Sequence, residues 1–163
     1  MALSRFTGLV LAAILTAVPL AWAQQGNIKL TTLAQVEKAV FTEGGRKEII
    51  RVPAEEVVSG TEVIFTTQYE NIGTRAVENA VITNPMPDNM IYKDGSARGV
   101  GATVTFSIDG GKTYQPVADL FVYDTAGRKY PARPQDYTHI RWTFETVIPS
   151  GARGDVSFTA ILE

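Results

Sequence analysis

The chain has no cysteine and a single histidine, His139, among its 163 residues. Without thiols it can form no disulfide, no zinc-thiolate or iron-sulfur centre and no cysteine nucleophile. One imidazole leaves a histidine-based metal site without a second ring. A Ser-His-Asp triad has no G-x-S-x-G elbow or other nucleophile context to support it. No catalytic residue, metal ligand or cofactor is expected. Basic clusters are missing too: 15 Lys and Arg stand against 17 Asp and Glu. Nucleic-acid binding needs many cations on one face, so it is not expected either.

Long apolar runs are confined to the N-terminus. A basic residue, Arg5, precedes an apolar stretch from Gly8 to Leu20, and Ala21-Trp22-Ala23 stands before Gln24. This is the charged, apolar, small-x-small order of a secretory signal peptide, residues 1–23. The stretch is shorter than the roughly 18 to 20 residues of a spanning helix, which makes a membrane anchor the weaker reading. The expectation is an exported chain, periplasmic or at the cell surface, with no transmembrane span after cleavage. Its mature length of about 140 residues suits one domain. With no disulfide in a compartment that permits them, its core alone must hold it.

What is present is a period of two. Val63, Phe65, Thr67 and Tyr69 alternate with polar neighbours, broken only by Ile64. Val104, Phe106 and Ile108 repeat the pattern, as do Ile140, Trp142 and Phe144, and then Val156, Phe158, Ala160 and Leu162. Shorter extended runs are expected at Glu78 to Thr83 and Leu120 to Tyr123, and a surface loop from Tyr130 to Tyr137. Turn chemistry separates them. Asn71 and Gly73 suit a tight turn through their tolerance of positive φ, Pro85 and Pro87 end a strand, and Asp109 and Gly111 make a hairpin. Many short strands between turn signals predict an all-β antiparallel sandwich.

The segment 24–47 is read as a strand that is an edge or is exchanged with a neighbour, ahead of a sandwich domain at 48–163. Ile28, Leu30, Ala34 and Val36 share one face of that strand, although Leu30, Leu33, Ala34 and Glu37 also fit a helix turn. As a strand, Ile28 to Val40 would be about 40 Å long, so it must bend between sheets or project beyond the domain.

Tyr69-Glu70-Asn71-Ile72-Gly73, Ala76 to Val81, Asn84-Pro85-Met86-Pro87 and Ile148-Pro149-Ser150-Gly151 together form a pattern that covers residues 50 to 163. The pattern resembles the repeat-type immunoglobulin-like domain of bacterial and archaeal surface proteins, a family of unknown function. Members usually carry tandem copies, whereas one copy is present here, and Asn84 stands where Asp is common. The resemblance implies an immunoglobulin-like sandwich in the cell envelope and transfers no catalytic residue.

Four local patterns have specific readings. Ser107 to Tyr114 looks like an Asp-box hairpin, a structural turn. Arg153-Gly154-Asp155 matches an adhesion tripeptide beside ordinary turn chemistry. Asp88, Asp94, Asp109, Asp119 and Asp124 fall in loops without calcium-loop spacing, which favours solvated acids. Tyr123, Tyr130, Tyr137 and Trp142, interleaved with arginines, form either a glycan or protein platform or, for Tyr137 and Trp142, core. The leading functional expectation is a non-enzymatic envelope protein that contacts protein partners, itself included, by strand addition into a filament. The alternative is a carbohydrate- or cell-wall-binding module.

Overall fold

The computed structural model describes residues 28–163, so the signal-peptide segment lies outside the described residues. Strands are β1 (Ile28–Phe41), β2 (Lys47–Pro53), β3 (Glu62–Asn71), β4 (Val81–Pro85), β5 (Met90–Tyr92), β6 (Arg98–Gly99), β7 (Ala102–Ser107), β8 (Phe121–Tyr123), β9 (Lys129–Pro131), β10 (His139–Phe144) and β11 (Arg153–Leu162). Every pairing among them is antiparallel. A large sheet runs β2-β1-β3-β11-β5, with β6 also on β11, and a small sheet runs β4-β10-β7. The ribbon β8-β9 lies apart from both.

Alternation places the core between the two sheets. Val63, Val156, Phe158 and Ala160 come from the large sheet, and Ile82, Phe106, Ile140, Trp142 and Phe144 from the small one. Trp142 and Phe158 meet across the gap at 6.2 Å between ring centroids, and Tyr69 meets Phe144 edge-on at 5.1 Å. Each large side chain so buried contributes about 1.5–3 kcal/mol. Ile64, which breaks the alternation, lies half-buried on the outer face, where it lines a shallow groove with Glu37, Arg51 and Thr159.

The segment from Ile28 forms one strand of 14 residues rather than a helix turn. Residues Ile28 to Gln35 pair with β3, and Gln35 to Phe41 pair with β2, so the chain's own sheet holds β1 on both sides. Its far half extends past the start of β3 as an arm with β2, closed by a turn in which Gly45 takes φ +75°. The small sheet is narrower than this. Asn84 of its edge strand β4 donates to Thr67 of β3 at 2.8 Å, and Thr67 lies opposite Thr32. β4 therefore roofs β3, leaving the inward face of β1 and β2 as an open ledge where Leu30 is 49% exposed and Ile50 40%.

Two expectations about turns need correction. Gly73 is not among the positive-φ residues. Instead, Asn71 ends β3 with a fully buried side chain, whose Oδ1 accepts from Gly73 N while Nδ2 donates to the carbonyls of Arg75 and Ile148. The stretch Tyr130 to Tyr137 is not a surface loop throughout. It contains β9 and a 3-10 turn at Pro134–Asp136, and it delivers Tyr137 to the core. Pro85 closes β4, and Pro87 lies in the crossing from the small sheet to β5 of the large one.

Candidate interaction surface

The backbone of the arm is half-satisfied. Ala54 N donates to Ala34 O and Thr42 N to Arg46 O, both at 3.0 Å. Even-numbered residues of β1 and β2 therefore bond to each other. The antiparallel alternation turns the amide groups of Lys47, Ile49 and Arg51 outward, along an edge with no strand beside it among the described residues. On the other side of the arm, Glu37, Ala39 and Phe41 run past the last pair with β3, Gln35 opposite Ile64. Phe41 is 73% exposed and Ile49 56%, on the face opposite Ile50. Ion pairs Arg51–Glu37 at 3.3 Å and Arg46–Glu48 at 2.7 Å clasp the arm. At such exposure each is worth at most about 1 kcal/mol.

The small sheet has a matching edge. Phe144 N donates to Ala80 O at 2.9 Å and Met86 N to Thr138 O at 2.8 Å, so even-numbered residues bond β4 to β10. Val81 and Thr83 are left to aim their N–H and C=O groups away from the sheet, above the ledge. Of the four strand residues expected to make contacts, Ile28 packs on the core and Val36 is buried, whereas Leu30 and Ala34 are exposed. Neither the β2 edge nor the β4 edge was visible to sequence reasoning, because free amides follow from pairing and not from residue type.

The aromatic platform does not assemble. Tyr137 is buried against Phe106 and Tyr92, and that burial, with Asp94 nearby, raises its phenol pKa. Tyr123 lies opposite Lys129 and Tyr130 opposite Val122, which puts the two tyrosines on opposite faces of the ribbon. The arginines are also engaged. Arg141 stacks 3.4 Å above the Tyr114 ring, Arg128 bonds Asp124 at 2.7 Å, and Arg133 is 3.8 Å from Asp136. A groove of about 640 Å³ on the outer face of the large sheet has polar walls, closed in part by Lys93 on Glu62 at 2.7 Å. Among the described residues no aromatic ring lines it.

The Asp-box forms as a turn. Asp109 accepts from Ser107 Oγ, from the Thr113 hydroxyl and from the backbone N–H groups of Lys112 and Thr113, while Gly110 and Gly111 take positive φ. The Thr113 hydroxyl and amide, then Ser107, hold its carboxyl well below the ordinary value of 3.8. A lowered pKa contributes stability above the ordinary value and loses it as pH falls toward the folded one. Thermal melting should therefore decline below about pH 4, and Asp109→Asn should flatten that acid limb while lowering the neutral melting temperature. An unchanged acid limb in Asp109→Asn would show that this carboxylate does not carry it.

The tripeptide Arg153-Gly154-Asp155 is strand rather than loop. It opens β11, with Arg153 bonded to Glu70 at 2.6 Å and Gly154 in contact with the Tyr69 ring. His139 is half-buried, its Nδ1 3.2 Å from the Thr138 hydroxyl. Among the described residues no three His, Asp or Glu side chains converge as a metal ion requires, and no helix is long and apolar enough to cross a membrane. No protein-family model, curated protein or solved structure matches the chain.

Proposed function

We propose that the chain is an exported, non-enzymatic structural protein of the cell envelope, an immunoglobulin-like module that works by binding other proteins, copies of itself first. One observation carries this reading: the β1–β2 arm projects beyond β3 with both long edges unpaired among the described residues and with Phe41 and Ile49 exposed. Open edges of this kind bind further strands unless they are short, charged or covered. A monomer gains nothing from exposing large apolar side chains there, whereas a subunit that is covered by its neighbour does. The export signal and the immunoglobulin-like motif pattern supply the envelope setting.

The test is the size distribution of residues 24–163 by light scattering and electron microscopy. Ordered polymers are expected for the native chain. The double variant Phe41→Glu with Ile49→Glu should be monomeric at the same concentration, with a melting temperature within a few degrees of native, since both side chains are exposed. A native chain that stays monomeric at high concentration, alone and in envelope extracts, would overturn the reading.

A further inference from the structure

We propose that the edge of β4 and the ledge beneath it form an acceptor slot for β2 of a second copy, added antiparallel with Val81 opposite Arg51 and Thr83 opposite Ile49. The inference rests on the self-association reading above and names the two surfaces that would carry it.

Three features select this occupant. The first is backbone parity. The outward amides of β4 belong to Val81 and Thr83, and those of β2 to Ile49 and Arg51. Residues that exchange bonds in an antiparallel pair face each other, and their side chains share a face. Val81 and Thr83 are on the outer face of the small sheet, so the paired Arg51 and Ile49 fall on that outer face as well. Glu48, Ile50 and Val52 of the incoming strand are then turned down toward the ledge.

The second feature is the match of those inward residues. Ile50 comes beside Ile82 and above Leu30, removing from water two side chains that are 40% and 49% exposed in the single chain. Val52 comes beside Ala80. Glu48 comes beside Asn84, whose Nδ2 already donates to Thr67 and keeps a second hydrogen for the carboxylate. Shifting the pairing by two residues places Glu48 against Ile82 instead, a carboxylate against a buried isoleucine. Shifting two residues the other way places Ile50 against Asn84, and a one-residue slip turns Ile50 out of the ledge, so alternation and side-chain match together set the register.

The third feature is the offset between donor and acceptor. Asn84 reaches Thr67, which lies opposite Thr32, so β4 lies at the level of Leu30 to Ala34. β2 pairs farther along, with Gln35 to Phe41. Two copies related by a two-fold axis along the strands cannot satisfy both edges of both molecules at once. Each copy is an acceptor for one neighbour and a donor to another, a heterologous contact that propagates as an open chain.

The absence of native cysteine gives a clean test. Opposed residues of a bonded antiparallel pair have Cα atoms about 5.5 Å apart, within disulfide reach. Val81→Cys and Arg51→Cys are prepared as separate chains, mixed and oxidised. The expected product is a mixed 51–81 disulfide, identified by mass spectrometry of the linked peptides, and the chain carrying both substitutions should give covalent ladders beyond dimers. Thr83→Pro removes one outward N–H and keeps the backbone bonds to β10, losing beside it only the exposed Arg141 Nε to Thr83 Oγ1 contact at 3.3 Å. It should raise the concentration needed for assembly roughly tenfold.

Polymers that form without the 51–81 link, or that link only 51 to 51 or 81 to 81, would overturn the slot while leaving self-association intact. Closed covalent dimers from the double-substituted chain would overturn the open arrangement. Chains monomeric under every condition would overturn both readings.

Discussion

Asn71→Asp should lose a large share of the domain's stability at neutral pH and regain it on acidification. The native amide donates to the carbonyls of Arg75 and Ile148 at 2.8 and 2.9 Å and accepts from Gly73 N at 3.0 Å, in a position with no exposed surface. An ionised carboxylate keeps the acceptor, loses both donors and sets a buried negative charge against two carbonyl oxygens. A charge left buried and uncompensated in this way costs about 3–5 kcal/mol. A domain of this size holds only about 5–15 kcal/mol in total. Burial and the facing oxygens raise the pKa of the introduced acid. The penalty is absent below the unfolded value of about 3.9 and grows as pH rises through it toward the raised one. Asn71→Ala loses the same donors without the charge, at about 2–4 kcal/mol and with no such pH dependence. Urea melts of both variants at pH 4 and pH 7 separate the charge from the lost bonds. Equal losses at the two pH values would refute the burial argument.

The second large effect is at Trp142 and the glycine facing it. Trp142 is fully buried, and Trp142→Ala should cost about 3–5 kcal/mol through lost contacts and the cavity left behind. A Cβ on Gly99 would come 2.8 Å from Trp142 Cδ1 and 3.0 Å from Val156 Cγ1. Gly99→Ala should therefore cost about 1–3 kcal/mol by overpacking. The indole Nε1 is buried without a hydrogen-bond partner, so replacing Trp142 with Phe removes an unpaired donor as it opens space. In a double-mutant cycle, Trp142→Phe should recover part of the loss caused by Gly99→Ala. Strict additivity of the two would show that the glycine is not there for the ring.

Residues whose role is set by their own neighbours in the chain were the legible ones. Ile140, Trp142 and Phe144 alternate cleanly and are core, and Ser107 to Thr113 builds its turn from its own side chains. Tyr137 was ambiguous because it follows a 3-10 turn, across which a period of two no longer tells the inward side. Asn71 read as turn chemistry because its partners Arg75 and Ile148 lie in other segments, the second of them 77 residues away. Gly99 carries no signal by itself, since its reason is a ring 43 positions on. The long first strand was legible, and its overhang was one of the two arrangements that its length left open, a bend between sheets being the other. What it overhangs was not, because the unequal widths of the two sheets are set by strand order.

That overhang divides one strand into two kinetic regimes. Amides of β1 that bond to β3 can exchange with solvent only when the sandwich itself opens. The even-numbered ones from Val36 onward are held only by a two-stranded ribbon, a structure marginally stable alone in water. A subunit built this way carries a frayed end on a rigid body. Capture of that end by a neighbour would convert fast local opening into the slow opening of a core strand, so that assembly would be recorded in the exchange clock of a few backbone amides before any change of shape.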